Sequence, residues 1–139
     1  ATAKIVFGEV HATAKALGAS GKPELQAIGQ RLGSALKAWT DATEWLAANA
    51  KSGLSGVLTA AVPYLHLAVT VTGGWMMGKA ALAASGYLDK GEGDLPFYRA
   101  KVATARFYAD QLLPQAAAYA ETVKAGDAAI AGMSGDELF

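Results

Sequence analysis

The sequence predicts an all-α protein, an up-and-down four-helix bundle with a short C-terminal turn. Alanine is abundant and alternating β-branched residues are nearly absent, which favours helix throughout. Apolar residues recur at three- and four-residue spacing in several long segments, and short stretches rich in Gly, Ser and Pro separate these segments. A chain of 139 residues is expected to form a single helical domain, residues 1–139.

The bulk composition excludes several classes of partner and site. Twelve basic and twelve acidic side chains cancel, so the chain shows no electrostatic footprint for nucleic acid or anionic lipid. Cysteine is absent, which excludes disulfides and thiolate metal sites, and a cytoplasmic location fits best. Residues 1–18 do not read as a signal peptide, because Lys4, Glu9 and Lys15 interrupt their apolar pattern. The first residue is Ala rather than Met, so we expect a processed chain or a fragment of a larger protein.

The first two helices are predicted from their spacing and their end signals. The first covers about residues 2–17 and ends at Gly18, and the second begins at Pro23, which is tolerated in a first turn. The second helix carries a regular apolar seam, typical of a bundle helix: Leu25, Ile28, Leu32, Ala35, Trp39, Ala42 and Leu46. Gly29 and Gly33 lie one turn apart beside this seam and are interpreted as a packing site for a neighbouring backbone.

The stretch from Leu54 to Leu88 is predicted to be the central helix, covered by the other three. Lys79 is the single charge between Lys51 and Asp89, and a helix that is apolar all round belongs at the centre of a bundle. A membrane span is rejected, because Thr, His, Pro and Gly residues interrupt the apolar run. Pro63 should bend this helix.

The middle of the central helix is weakened by glycine. Gly73, Gly74 and Gly78 each cost about 1 kcal/mol relative to alanine, so close helix contact or a ligand must compensate. Gly74 and Gly78 repeat the spacing of the earlier glycine pair, and the two pairs are expected to meet. Together with Trp75, these glycines are candidates for close packing or for an apolar pocket.

The last long helix is predicted to begin at Pro96 with Asp94 as its cap, and Pro114 should kink or restart it. Gly126 is a stop signal, after which residues 127–131 could form one further turn before a frayed tail. The expected seam of this helix is Tyr98, Val102, Ala105, Ala109, Leu112, Ala116, Tyr119 and Val123.

No residue pattern predicts a catalytic, metal-binding or cofactor-binding site. His11 and His66 lack the carboxylate spacing of a di-metal bundle; His11 is expected on the surface and His66 as a hydrogen-bonded core or interface residue. The chain has no nucleophile motif and no phosphate loop. Asp41 and Glu44 read as a solvated pair rather than an acid/base couple.

One segment is dense in aromatic and basic residues. One interpretation of this segment is that its side chains pack within the bundle on two faces. The alternative is a contact surface for a second domain or subunit, where aromatic residues and Arg are enriched. The interface candidates are Phe97, Tyr98, Lys101, Arg106, Phe107 and Tyr108.

These residues also carry a resemblance. The run Pro-Phe-Tyr-Arg-Ala-Lys-Val-Ala-Thr-Ala-Arg-Phe-Tyr at residues 96–108, closed by Leu-Leu-Pro at 112–114, resembles the C-terminal domain of acyl-CoA dehydrogenases of the 3-methylmercaptopropionyl-CoA dehydrogenase-like and bacterial long-chain subgroup. Residues 39–46, 64–75 and 79–84 are similar to the preceding helices of that domain. The likeness extends from about Ile28 to Phe139.

The resemblance implies an FAD flavoprotein that oxidises the Cα–Cβ bond of an acyl-CoA thioester, with a glutamate removing the α-proton. Neither the family's Tyr-Glu-Gly-Thr type segment nor its Gln-x-x-Gly-Gly pattern occurs in this chain. We therefore expect an accessory C-terminal domain that is inactive alone, binds no flavin itself, and packs on the missing dehydrogenase domains and a second subunit.

Two alternatives stay open at this stage. The first is a free-standing bundle that binds an apolar ligand or a partner near Gly73, Gly74 and Gly78. The second is a peripheral membrane or scaffold module, which the balanced charge and the lack of a basic amphipathic face disfavour.

Overall fold

Five helical segments make up the part of the chain that the structure describes. The computed structural model describes residues 2–51, 54–128 and 132–133. The helices are α1 (Thr2–Gly18), α2 (Pro23–Asn49), α3 (Leu54–Lys90), α4 (Leu95–Gln111) and α5 (Gln115–Ala125), and the described residues contain no β-strand. The predicted all-α bundle is confirmed, with α4 and α5 together forming its fourth arm.

Contacts between helix ends show that neighbouring helices run antiparallel. Lys22, at the start of α2, donates to Ser85 near the end of α3 at 2.6 Å, whereas Thr43 and the Tyr64 hydroxyl are 2.8 Å apart at the other end. Gly29 of α2 meets the backbone of α1 at Ala14. The up-and-down order follows from these contacts.

The predicted seam of α2 forms the core. Leu25, Ile28, Leu32, Ala35, Trp39 and Ala42 are buried, and Leu46 is partly buried against them. Pro23 occupies the first turn of α2, as expected.

The fourth arm restarts at Pro114, and its seam shifts by one residue. Asp94 caps α4 by accepting a hydrogen bond from the Phe97 backbone at 3.0 Å. At the break, Leu113 is buried and Leu112 is exposed, so the predicted placement of Leu112 in the seam is wrong. Both leucines fit the three- or four-residue spacing after Ala109, and the structure buries the second of them. Ala116 and Val123 lie in the seam as predicted.

The end of α3 differs from expectation. The central helix was predicted from Leu54 to Leu88, whereas α3 continues to Lys90 and the connection is made by residues 91–94. Gly91 and Gly93 supply the positive φ angles, +67° and +79°, that this tight connection requires. Gly126 ends α5 with φ +60°, as predicted. Of the further turn predicted for residues 127–131, the structure describes residues 127 and 128 as a turn; residues 129–131 and, apart from residues 132 and 133, the predicted tail lie outside the described residues.

The central-helix prediction is wrong in one respect. α3 packs against α1, α2 and the fourth arm, but only 17% of its most apolar 18-residue window is buried. By length and composition alone, the span Ser55–Lys90 could cross a membrane. The prediction failed because α1 has 17 residues and α3 has 37, about 26 Å against 56 Å, so α1 flanks only part of α3.

Candidate docking surfaces

The aromatic and basic residues of α4 point to three different sides of the helix. Two of them face α3: the Tyr98 ring stacks on Tyr87 at 4.7 Å, and the Tyr108 hydroxyl donates to the Thr70 carbonyl at 3.0 Å. Burial raises the pKa of the Tyr108 phenol above its usual value of 10.0. These two tyrosines therefore hold the fourth arm on α3.

Arg106 lies on the side of α4 that faces α2. Its Nε donates to Asp110 at 2.7 Å, and the other carboxylate oxygen of Asp110 lies 3.5 Å from Arg31 of α2. The three side chains form a bridge between the two helices, partly exposed to solvent.

The remaining three α4 candidates face solvent. Phe97 and Phe107 are 51% and 65% exposed, and the Lys101 ammonium lies 5.1 Å from the centre of the Phe97 ring. The six candidates thus do not form one continuous surface, and an interface role for this solvent-facing part stays a prediction. We call Phe97, Lys101 and Phe107 the outer α4 group.

The glycines of α3 lie where other helices approach. A Cβ at Gly73 would collide with the Tyr108 hydroxyl, and one at Gly74 would lie 2.5 Å from Leu113. A Cβ at Gly78 would lie 3.0 Å from Leu17 of α1. The Gly73-Gly74 pair is therefore filled by side chains of the fourth arm and offers no cradle for a flavin phosphate.

The two glycine pairs do not meet, contrary to expectation. Gly29 packs on the α1 backbone, and a Cβ at Gly33 would have no neighbour within 4 Å. Of the two α3 positions, only Gly78 approaches α2, where Leu32 would lie 3.6 Å away. The indole Nε1 of Trp75 donates to Thr13 at 2.9 Å, which fixes α1 on α3.

An extended line of exposed apolar side chains in the described residues was missed by the sequence analysis. It consists of large side chains on the outer side of α3, which are 44–64% exposed, and we call it the outer α3 stripe: Leu58, Val62, Leu65, Val69 and Met76. Successive spacings of four, three, four and seven residues place them along one line of the helix.

A signal for this stripe was present in the sequence. Ala60, Leu67 and Val71 form the buried line of the same helix, so α3 carries two apolar lines at helical spacing. One neighbouring layer can cover only one of them. The sequence does not state which line lacks a partner, because that depends on the length and position of α1.

A shallow groove adjoins the stripe. It has a volume of about 590 Å³ and is lined almost entirely by apolar atoms of α1, α2 and α3. Val69 and Met76 belong to both the stripe and the groove, while Val6, Trp39 and Trp75 form the rest of its main walls. The Trp39 ring meets Phe7 edge-on at 4.9 Å, and its Nε1 is buried without a hydrogen-bond partner. We call this feature the α3 groove.

Titratable side chains do not converge on either surface. Within residues 2–51, 54–128 and 132–133, no three His, Asp or Glu side chains lie together in a metal-binding cluster. His11 is exposed, as expected. His66 is exposed as well, 5.4 Å from the Tyr119 ring, so its predicted placement in the core is wrong. It lies on α3, where the fourth arm covers only one side.

Comparison with known proteins gives the chain its family. A family model described as acetyl-CoA dehydrogenase C-terminal like matches residues 6–134. The chain belongs to this family of acyl-CoA dehydrogenase C-terminal domains. This C-terminal domain is 36% identical over 112 residues to the 3-methylmercaptopropionyl-CoA dehydrogenase of Ruegeria pomeroyi. The alignment covers 81% of the C-terminal domain but only 19% of that dehydrogenase. Acyl-CoA dehydrogenases are generally FAD-dependent and act on acyl-CoA thioesters through catalytic domains that this match does not include.

Proposed function

We propose that the chain is an accessory structural domain of an FAD-dependent acyl-CoA dehydrogenase. The complete enzyme would oxidise the Cα–Cβ bond of an acyl-CoA thioester, and this domain would pack on its catalytic domains and contribute to a subunit contact. The observation that carries the proposal is the match of residues 6–134 to the C-terminal family, combined with coverage of only 19% of the related dehydrogenase.

The domain's own residues are proposed to supply neither the catalytic base nor the flavin site. Two features support this part. The Gly73-Gly74 pair faces Tyr108 and Leu113 and has no space for a phosphate group. Asp41 accepts a hydrogen bond from Lys37, one helical turn away. This contact has the geometry of an ordinary ion pair on a helix surface, not that of a proton-transfer couple. A cytoplasmic location of the complete enzyme is part of the proposal.

The test compares the 139-residue chain with the complete protein encoded by its gene. Each is purified in the presence of FAD, and flavin absorbance in the protein peak and acyl-CoA oxidation with an artificial electron acceptor are measured. We expect flavin and turnover in the complete protein and neither in the chain alone. Stoichiometric flavin on the chain alone, or a complete protein without flavin, would contradict the proposal.

The α3 groove favours a second candidate function, binding of an apolar ligand such as a medium-chain fatty acid. Its supporting observation is the apolar lining that Trp39 and Trp75 provide, although Gly74 and Gly78 themselves are closely packed. Because two indoles line the groove, a ligand there should change the tryptophan fluorescence. A titration with a medium-chain fatty acid that leaves the fluorescence unchanged would remove this candidate.

A further inference from the structure

We propose that the outer α3 stripe is the surface by which this domain docks on the dehydrogenase domains of its own polypeptide. The inference rests on the proposed function and specifies its contact surface. It assigns the docking to α3 rather than to the aromatic and basic α4 residues that the sequence analysis named as interface candidates.

The exposure of the stripe is the first argument. Leu58, Val62, Leu65 and Val69 are each 60–64% exposed, and Met76 is 44% exposed. The stripe runs about 27 Å along the helix at 1.5 Å per residue. Single apolar residues on a surface need no explanation, but a contiguous line of large ones marks an interaction site. No charged residue lies between Leu58 and Met76, so the partner surface must be apolar as well.

The α3 groove supplies the second argument. Val69 and Met76 form one of its sides, so the groove opens directly beside the stripe. A volume of about 590 Å³ is sufficient for a bulky side chain of a partner. Interfaces typically place an aromatic or aliphatic anchor in such a pocket. The stripe and the groove therefore fit one partner that lies along α3 and inserts a side chain near Trp75.

The area of the outer α3 stripe distinguishes two possible partners, a domain of the same polypeptide and a second copy of this chain. A stripe about 27 Å long and one helix wide, roughly 10 Å, offers a few hundred Å². Stable complexes between separate proteins bury about 800 Å² on each partner. Domains of one chain are held by interfaces of about 600–1,500 Å² in total, because tethering raises their effective concentration. Counted on both partners, the stripe comes close to the lower end of the tethered range and falls well short of what separate proteins bury. The related dehydrogenase is about five times as long as the matched region, so it has further domains for this contact.

The charges disfavour a membrane surface as the partner. Helices that lie in a lipid interface carry Lys and Arg along their polar face. On α3 the lysines are Lys79 and Lys90, and the Lys79 ammonium lies 5.1 Å from the centre of the Trp75 ring. The helix has no basic face to support the stripe on anionic lipid.

Carbene footprinting of the complete enzyme and of the 139-residue chain tests the proposal. Trypsin releases residues 52–79, which contain the whole stripe, and residues 107–124, which contain Phe107 from the outer α4 group. We expect labelling of Leu58, Leu65 and Met76 to fall by about five-fold or more in the complete enzyme, because side chains at the centre of an interface are fully buried. Labelling of Phe107 is expected to stay unchanged.

A matched pair of variants in the complete enzyme completes the test. Leu65→Asp and Phe107→Asp change similarly exposed side chains, 60% and 65%, that both lie inside a helix. Leu65→Asp should restore labelling of Leu58 and Met76 to the level of the separate chain, while Phe107→Asp leaves it low. Circular dichroism of the separate chain checks that both variants fold.

Each outcome has a distinct meaning. Equal labelling of residues 52–79 in a flavin-containing complete enzyme would overturn the docking proposal and leave the proposed function intact. A complete protein without flavin would overturn both. Flotation of the separate chain with phosphatidylcholine–phosphatidylserine vesicles, or a concentration-dependent dimer that Leu65→Asp disrupts, would assign the stripe to lipid or to a second copy and would also overturn it.

Discussion

Helices α2 and α3 lie side by side, yet they divide their apolar residues differently. α2 places its large apolar side chains on one buried seam and shows mainly polar residues and alanine to solvent. α3 buries one apolar line, which includes Leu67 and Val71, and exposes a second, the outer α3 stripe. Apolar composition therefore indicates burial for α2 but a partner for α3.

The difference follows from which neighbours each helix has. Both helices contact every other helix of the bundle, but α1 packs more extensively on α2 than on α3, which it flanks over only part of its length. The Trp75–Thr13 hydrogen bond and the Gly78–Leu17 contact show that α1 reaches the C-terminal half of α3. The stripe lies mainly on the N-terminal half, where α1 does not cover it.

The largest expected difference between α2 and α3 is in the free energy of unfolding that is lost when one leucine of each helix is replaced by alanine. Leu32→Ala on α2 removes a fully buried side chain and should cost about 3 kcal/mol in the free energy of unfolding. Leu65→Ala on α3, at 60% exposure, should cost less than about 0.5 kcal/mol in the 139-residue chain. Urea denaturation of both variants measures this. Equal losses would mean that the stripe belongs to the core.

Two glycines of α2, Gly29 and Gly33, lie one helical turn apart and allow a closely packed position to be compared with an open one. A Cβ at Gly29 would lie 2.8 Å from the Ala14 carbonyl oxygen and 3.0 Å from the Gly18 nitrogen, both backbone atoms that cannot rotate away. Gly29→Ala should therefore lose about 1–3 kcal/mol through forced helix separation.

The control for that variant is Gly33→Ala. This position has open space around it, so the substitution should gain up to about 1 kcal/mol from helix propensity alone. Thermal unfolding of the two variants in parallel reports the sign of each change. Stabilisation by both substitutions would show that α1 does not pack closely on α2.

The attachment of the fourth arm to α3 has a smaller expected effect. Tyr108→Phe removes the hydrogen bond to the Thr70 carbonyl and should cost about 1 kcal/mol. Since the pKa of Tyr108 is raised in the folded chain, its contribution is fully present below pH 10.0 and is lost as the pH rises further. Unfolding measured on both sides of that pH should show a weaker alkaline loss in the variant. An identical alkaline loss would contradict this role.

The smallest expected effect concerns the ion pair that joins the start of α2 to the end of α3. Asp89 pairs with Lys22 on a solvent-exposed part of the surface. Asp89→Asn should cost no more than about 0.5–1 kcal/mol, and the loss should shrink at high salt. Unfolding of this variant at low and high ionic strength checks both points, and a larger loss that salt does not reduce would contradict them.

The sequence predicted the bundle and the buried seam of α2 because these depend on local spacing. Pro23, Asp94, Pro114 and Gly126 marked helix ends through backbone chemistry that acts within a few residues. The burial of Leu113 rather than Leu112 was not predictable, since both leucines fit the three- or four-residue spacing of the seam after Ala109.

The docking surface was less predictable, because burial is a property of neighbours rather than of composition. The α4 candidates combine aromatic rings and positive charge, but Tyr98, Tyr108 and Arg106 are used within the bundle. Phe97 and Phe107 of α4 do face solvent, but the longest line of exposed large apolar residues lies on α3, the helix that was expected to be most covered.

The central claim is that the outer face of α3 has a protein partner in the complete enzyme. A cryo-EM structure of the complete flavin-containing dehydrogenase measures this most directly, through the exposure of Leu65 and Val69. We predict that both side chains, about 60% exposed in this domain, are buried there against apolar residues of the dehydrogenase domains. A structure in which both still face solvent would contradict the claim.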